Sequence, residues 1–248
     1  KIAPTWFVFE NVYGLTKFKN GEENIQNHIE NRFRDIGYTV KSKILYASDF
    51  GVPQRRNRLF IVGNRNGIDF EFPKEFDYSV SVDEAISDLP VLGNGEIQMK
   101  GEYTVPFEQA SPYAQLMRKK SKAPTQNIVS RNKDYVVERY KYIGQGENWS
   151  SIPDRLMENY ADKKRCHSGI YKRLIGGKPS VVISNYRKSM LIHPHQDRGL
   201  SVREAARLQS FPDHFIFEGP VSYVQQQIGN AVPPLLAKAV MKKILTYK

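Results

Sequence analysis

One cysteine among 248 residues excludes a disulfide framework and any zinc site built from several cysteines, and it fits a reducing compartment. No apolar run approaches the roughly 20 residues of a membrane-crossing helix. No secretion signal pattern opens the chain, so a cytoplasmic location is expected. Internal repeats and low-complexity tracts are also missing, which excludes solenoids and leaves ordinary globular folding. Acid is short relative to base: 26 Asp and Glu face 37 Lys and Arg, a formal charge of +11. The surplus recurs in small clusters, Arg118-Lys119-Lys120, Lys163-Lys164-Arg165 and Arg187-Lys188. That distribution is the footprint of a polyanion binder, most simply of nucleic acid; solubility alone is the bland account. The first residue is Lys1 and not Met, so either a trimmed chain or an upstream segment is expected.

What is present begins with Trp6-Phe7-Val8-Phe9, which ends abruptly in Glu10-Asn11. Four bulky apolar residues in a row predict a central strand buried on both faces. In open α/β sheets ligands bind beyond the carboxyl ends of strands, so Glu10 is either placed for chemistry or merely caps the turn that follows. Ile25, Ile29, Phe33 and Ile36 then recur at helical spacing, with Gly37 where a left-handed cap is wanted. Residues 38–46 alternate as a strand nearer an edge. After the turn-rich link 48–53, Gln54-Arg55-Arg56-Asn57-Arg58 leads straight into the apolar run 59–63. So much charge at the start of a buried strand is costly unless an anion or polar ligand is nearby, or an acid such as Asp49 pairs with it.

From about residue 64 to 195 the periodicity dissolves into short helical pieces, 81–88 and 110–119, between loops rich in aromatic, basic and glycine residues. Regularity returns at Ser201-Val202-Arg203-Glu204, a capping box whose Leu200 and Ala205 form a small hydrophobic staple. Arg203 and Arg207 share a face of that helix. A last helix follows Gly229-Asn230-Ala231-Val232-Pro233-Pro234, with Leu236, Val240 and Ile244 as its apolar stripe and Asn230 on the preceding loop.

Phe9-Glu10-Asn11-Val12, Gln54-Arg55-Arg56-Asn57-Arg58, the run from Arg198 through Ser201-Val202-Arg203-Glu204 to Phe211-Pro212-Asp213, and Gln227-Ile228-Gly229-Asn230-Ala231-Val232-Pro233 resemble, in order and spacing, the later motifs of cytosine-5 DNA methyltransferases. The long segment between the second and third stretches falls where that family carries its target-recognition domain. Two earlier family motifs have no counterpart here: the glycine-rich loop for S-adenosylmethionine, and the Pro-Cys loop whose thiol attacks the base. Cys166 has no proline before it and is expected to be an ordinary cysteine of the recognition segment.

The resemblance implies an α/β fold. Residues 1–73 and 221–248 would form part of a Rossmann-like methyltransferase sheet, and 74–220 a smaller, irregular α+β recognition lobe. It implies the C-terminal portion or subunit of a bacterial DNA (cytosine-5) methyltransferase, of a restriction-modification system, acting on a cytosine swung out of duplex DNA. Glu10 would hold the ring-nitrogen and amino edge of the cytosine, and Arg58 with Arg56 its carbonyl oxygen and nearby phosphates. Gln54, Arg55, Arg187 and Arg203 would face DNA, although for Arg203 and Arg207 a buried structural network is an equal alternative. Asn230 and Ala231 would line the S-adenosylmethionine site, and no metal is called for. An N-terminal portion bearing the missing motifs is the expected partner. A catalytically silent DNA-binding remnant is the main alternative; an RNA-binding module is disfavoured by the lack of an aromatic RNA-recognition signature.

Overall fold

Three antiparallel strands in the order β1-β5-β4 make the main sheet. The computed structural model describes residues 2–20, 23–158, 168–184 and 186–247; Cys166 and the cluster 163–165 lie outside them. β1 is Trp6–Val12, followed by a short 3₁₀ turn, Tyr13–Lys17, and by the two-residue strands β2, Lys19–Asn20, and β3, Glu23–Asn24. α1, Ile25–Asp35, is capped by the Asn24 side chain, which accepts from the Gln26 N–H, and Gly37 past its end sits at φ +89° as its C-cap role requires. β4 is Thr39–Tyr46 and β5 is Asn57–Asn64.

The opening strand departs from the expectation of a doubly buried centre. β1 has one strand partner, β5, and its residues are half-buried or exposed. The central strand is β5, where Leu59, Phe60, Ile61 and Val62 are all buried. The reason lies in the covering layers. Phe60 and Val62 meet the helix α7, Pro234–Leu245, through Leu236, Val240 and Ile244. On the other face Phe7 stacks on Phe33 of α1 with ring centroids 3.9 Å apart. An uninterrupted apolar run has the same look in either position, so the sequence pattern could not rank the two strands.

The rest of the chain builds two further apolar clusters. It contains α2, Val82–Ile86; β6, Ile97–Lys100, paired antiparallel with β7, Thr125–Ile128; α3, Pro112–Arg118; and α4, Asp134–Tyr140. It continues with α5, Val202–Leu208, and α6, Val221–Asn230. The Ser201–Glu204 capping box is formed in both directions. One cluster joins α2, α3, α5 and α6; the other gathers Val136, Tyr140, Ile143, Met157, Tyr171 and Ile192. Val224 and Ile228 of α6 thus pack with the middle segment, whereas α7 packs on the sheet. Packing changes sides between the two helices and not at residue 221. Among the described residues no helix is long and apolar enough to cross a membrane.

Candidate active site

Antiparallel pairing brings the acid and the arginines together. β1 ends where β5 begins, with Glu10 opposite Phe60 and Val12 opposite Arg58. The two-residue period of a strand therefore sets Glu10 and Arg58 on one face as diagonal neighbours. Arg58 Nε lies 2.8 Å from the buried Glu10 Oε1 in an ion pair whose hydrogen-bond alignment is poor, which leaves that oxygen incompletely satisfied. Arg58 Nη1 donates to the Asn57 carbonyl at 2.8 Å. Burial raises the Glu10 carboxyl above its ordinary range, and the nearby Arg58 and Arg56 only partly offset this. Burial likewise lowers Arg58, against the pull of Glu10.

Arg56 stands behind the pair, 1% exposed. Its Nη1 donates to the Ile183 carbonyl at 3.1 Å and its Nη2 to the Gly229 carbonyl at 2.8 Å, while its buried Nε has no partner. Burial and the adjacent Arg58 push its pKa down to about 10. A half-buried carboxylate with a spare acceptor, beside guanidinium groups held below their usual basicity, suits a polar ligand that offers a donor next to an acceptor. The family model for C-5 cytosine-specific DNA methylases matches residues 1–246.

The chain belongs to that family.

Among relatives of this methylase chain, Type II methyltransferase M1.HphI of Haemophilus parahaemolyticus is 34% identical over 98% of the chain and 57% of its own length. Type II methyltransferase M.DdeI of Desulfomicrobium norvegicum is 33% identical over 99% of the chain and 64% of its own length. The chain thus spans about three-fifths of these curated relatives. A solved DNA modification methyltransferase from an E. coli prophage superposes with a TM-score of 0.68 at 23% identity, over 98% of this chain and 69% of that one, which shows the shared α/β fold.

The remaining candidate site residues divide by burial. Gln54 is fully enclosed: its Oε1 accepts from the Ile183 N–H at 3.0 Å and its Nε2 donates to the Leu208 carbonyl at 3.2 Å. Arg203, also fully enclosed, donates to the Thr125, Pro212 and Phe215 carbonyls and to Thr125 Oγ1. Gln54 was expected to face DNA, and Arg203 either to face DNA or to join a buried structural network. The structure sets the DNA-facing reading of Gln54 aside and favours the buried-network alternative for Arg203, because side chains sealed inside with their donors spent on backbone oxygens have nothing to offer a phosphate. Arg55 and Arg187 are exposed, and the Arg55 backbone N–H is anchored to the Ser180 carbonyl at 2.9 Å.

Gln209 is a residue that sequence reasoning missed. Its Nε2 donates to the Ile183 carbonyl at 3.3 Å and to the Ile228 carbonyl at 2.8 Å. Ile183 is thereby gripped by Gln54, Arg56 and Gln209 at once, which fixes the middle segment against the loop that leads into β5 and Arg58. Close approach completes the clamp: a Cβ on Gly229 would fall 1.8 Å from the Ser184 carbonyl oxygen, so only glycine fits. Its partners are backbone carbonyls distant in the chain, and no local pattern announces them. The sole signal was the position of Gln209 inside the Arg203–Asp213 motif.

Asn230 is the exposed last residue of α6, not a loop residue, and Ala231 caps that helix by donating its N–H to the Gln227 carbonyl at 3.1 Å. The family generally uses S-adenosylmethionine. Neither Asn230 nor Ala231 lines any of the five principal cavities of the described residues. An exposed amide without an enclosing wall does not by itself make a pocket for that group.

Proposed function

We propose that this chain is the base-holding and DNA-binding portion of a DNA (cytosine-5) methyltransferase of a restriction-modification system, completed by a portion that bears the nucleophilic cysteine and the glycine-rich cofactor loop. The observation that carries the reading is the Glu10–Arg58 pair with its unsatisfied Glu10 oxygen. A cytosine edge offers an amino donor and a ring nitrogen beside a carbonyl acceptor. Glu10 meets the first two and Arg58 the third. A carboxyl whose pKa is raised by burial holds a proton more readily at the ring nitrogen as the thiol of the other portion adds to the ring and electron density builds there. Arg56 is a positioning residue in this scheme: two of its nitrogens tie the segment leading into β5, and so Arg58, to Ile183 and Gly229. S-adenosylmethionine, when bound, supplies an electrophilic methyl group, and Asn230 and Ala231 would furnish one side of its site.

Two features support a completing portion. The outer edge of β1 pairs with no strand among the described residues, and Val12 on it is 51% exposed. Beside that edge, Phe9, Ile29, Phe33 and Ile36 line an apolar groove of about 470 Å³. An added strand with its covering helix would satisfy both. The recognition lobe would comprise most of residues 74–220.

The test is methyl transfer by the 248-residue chain alone and after mixing with a complementing portion. Transfer only in the mixture is expected, and robust transfer by the chain alone overturns the reading. In the active mixture Glu10→Gln should slow the single-turnover rate by about 100-fold or more while DNA affinity holds, as for a group acting in the transition state. Arg58→Ala should harm both, with lysine a partial rescue because it lacks the planar fork. A Glu10→Gln rate within about twofold of the parent, under half a kcal/mol of barrier, would make the carboxylate structural. If no complementing portion restores transfer, the chain is a silent DNA-binding remnant. Duplex binding itself should weaken steeply with salt, with a log–log slope near −0.9 per neutralised phosphate. A salt-independent affinity would leave the +11 charge to solubility alone.

A further inference from the structure

A cavity of about 460 Å³ opens between the turn that follows β4, α7 and the middle segment, and is lined by neither Glu10 nor Arg58. Both lobes build it. The turn Ala47–Phe50 gives Phe50, and α7 gives Leu235, Lys238 and Lys242; the middle segment gives Tyr113 and Leu116. Its volume lies within the roughly 300–1,000 Å³ of small-molecule sites. Phe76 and Tyr78 stand at it as a stacked pair, with centroids 5.3 Å apart and planes 14° from parallel. They are 46% and 57% exposed, and Leu116 across the opening is 45% exposed, so apolar surface left in water is gathered at one concave spot.

Charge defines the other side of the cavity. Lys238 and Lys242 are exposed, lie four residues apart on α7 and make no ion pair among the described residues; the neighbouring Lys243 turns instead to Glu71 at 3.7 Å. Like charges at that spacing repel by a few tenths of a kcal/mol, which an anion between them would relieve. The one acid in the lining, Glu84, has its Oε2 committed to the Ser81 N–H at 2.8 Å and the Ser81 hydroxyl at 2.7 Å. We propose that this cavity is a binding site for a flat aromatic anion, whose rings lie against Phe76, Tyr78 and Leu116 and whose carboxylate, sulfonate or phosphate meets Lys238 and Lys242. The cavity wall is tied to the core of the second lobe, since the Tyr113 hydroxyl donates to the Arg207 carbonyl at 2.5 Å. An occupant therefore bridges the two lobes. The site does not rest on the methyl-transfer reading.

Calorimetric titration of the chain with naphthoate, and with naphthalenemethanol as a probe of the same rings without charge, tests it. One saturable naphthoate site is expected, with the alcohol at least tenfold weaker. Lys238→Glu combined with Lys242→Glu should weaken naphthoate at least tenfold and leave the alcohol unchanged, and Leu116→Glu should weaken both. All three positions are exposed, and thermal unfolding measured on the same samples verifies that the variants fold. Equal affinity for the two probes, affinities that ignore the variants, or no saturable binding in the millimolar range would each overturn the proposal. Displacement of naphthoate by duplex DNA would assign the two lysines to a DNA face and overturn it as well. Failure of DNA binding or methyl transfer with naphthoate binding intact would tell against the methyltransferase reading alone.

Discussion

Arg207 of α5 and the arginines beside Glu10 are buried alike but end in opposite electrostatic states. Arg207 is fully enclosed, and its guanidinium reaches Asp213 through Nε and Nη2, both at 2.7 Å, Asp88 through Nη1 at 2.8 Å and the Ala85 carbonyl at 2.9 Å. Burial, the largest influence, lowers its pKa, but Asp213 and Asp88 together reverse that and hold it above the ordinary arginine value. Arg198 forks onto Glu204 at 2.9 and 2.7 Å. Burial would raise Glu204, yet Arg198 prevails and keeps it at about 2. At the other site burial wins: Glu10 is raised, and Arg56 and Arg58 are lowered. A network whose donors and acceptors all match is structural and has no capacity to spare. One that leaves Glu10 Oε1 and Arg56 Nε unmatched carries a cost that a ligand can relieve.

The contrast breaks most readily at Arg207. Arg207→Met should cost about 3–5 kcal/mol of unfolding free energy, because it leaves the buried Asp88 with only a 3.4 Å contact to Arg118 and the buried Asp213 with the Tyr103 hydroxyl. Chemical denaturation measures this, and a loss below about 1 kcal/mol would show that Asp88 and Asp213 do not depend on it.

A pH scan sharpens the same side. Burial, against the pull of Glu204, pushes His193 from near 6.5 down to about 4. Its Nδ1 accepts from the His195 backbone N–H at 3.2 Å, which leaves the proton on Nε2, facing Glu204 at 3.7 Å. The folded state thus binds this proton less readily than the unfolded chain. The stability it permits is intact above pH 6.5 and is lost as pH falls through about 4, a loss of roughly 3 kcal/mol by linkage. Glu204 acts in the same direction at still lower pH, toward about 2. Unfolding midpoints of the parent and His193→Gln between pH 7 and 4 check this, and parallel curves would remove His193 as the cause.

The smallest effect belongs to the other region. Glu10→Gln keeps the shape and removes a carboxylate whose charge burial disfavours, so stability should change by no more than about 1 kcal/mol even as function is lost. A drop like that of Arg207→Met would place Glu10 in the structural class and dissolve the distinction.

How far the sequence could be read follows from the range of each interaction. The capping box at Ser201 and Glu204, the helix ended by Gly37 and the strand at 59–63 all formed as expected, since each is set by neighbours within a few residues. The end of α6 was not legible: Gly229 and Asn230 read as loop, yet the helix runs through Asn230, with Gly229 bare enough to admit the Ser184 carbonyl. Gln54 read as a DNA-facing residue and Arg203 was left open between DNA and a buried network; both are interior ties because Leu208, Ile183, Thr125 and Phe215 arrive from elsewhere in the chain.

The sequence by itself determined the order of the motifs and hence the family, the positive charge, and the helices and strands whose caps and periods are local. Tertiary structure alone decided which apolar strand is central, because that depends on which helices cover each face, and which arginines are structural, because that depends on what carbonyls and carboxylates the fold delivers to them. Arg56 and Arg58 stand two residues apart in a single motif. One ends with its donors on Ile183 and Gly229, the other beside an acid with an unclaimed oxygen, and only the packing of three distant segments separates their roles.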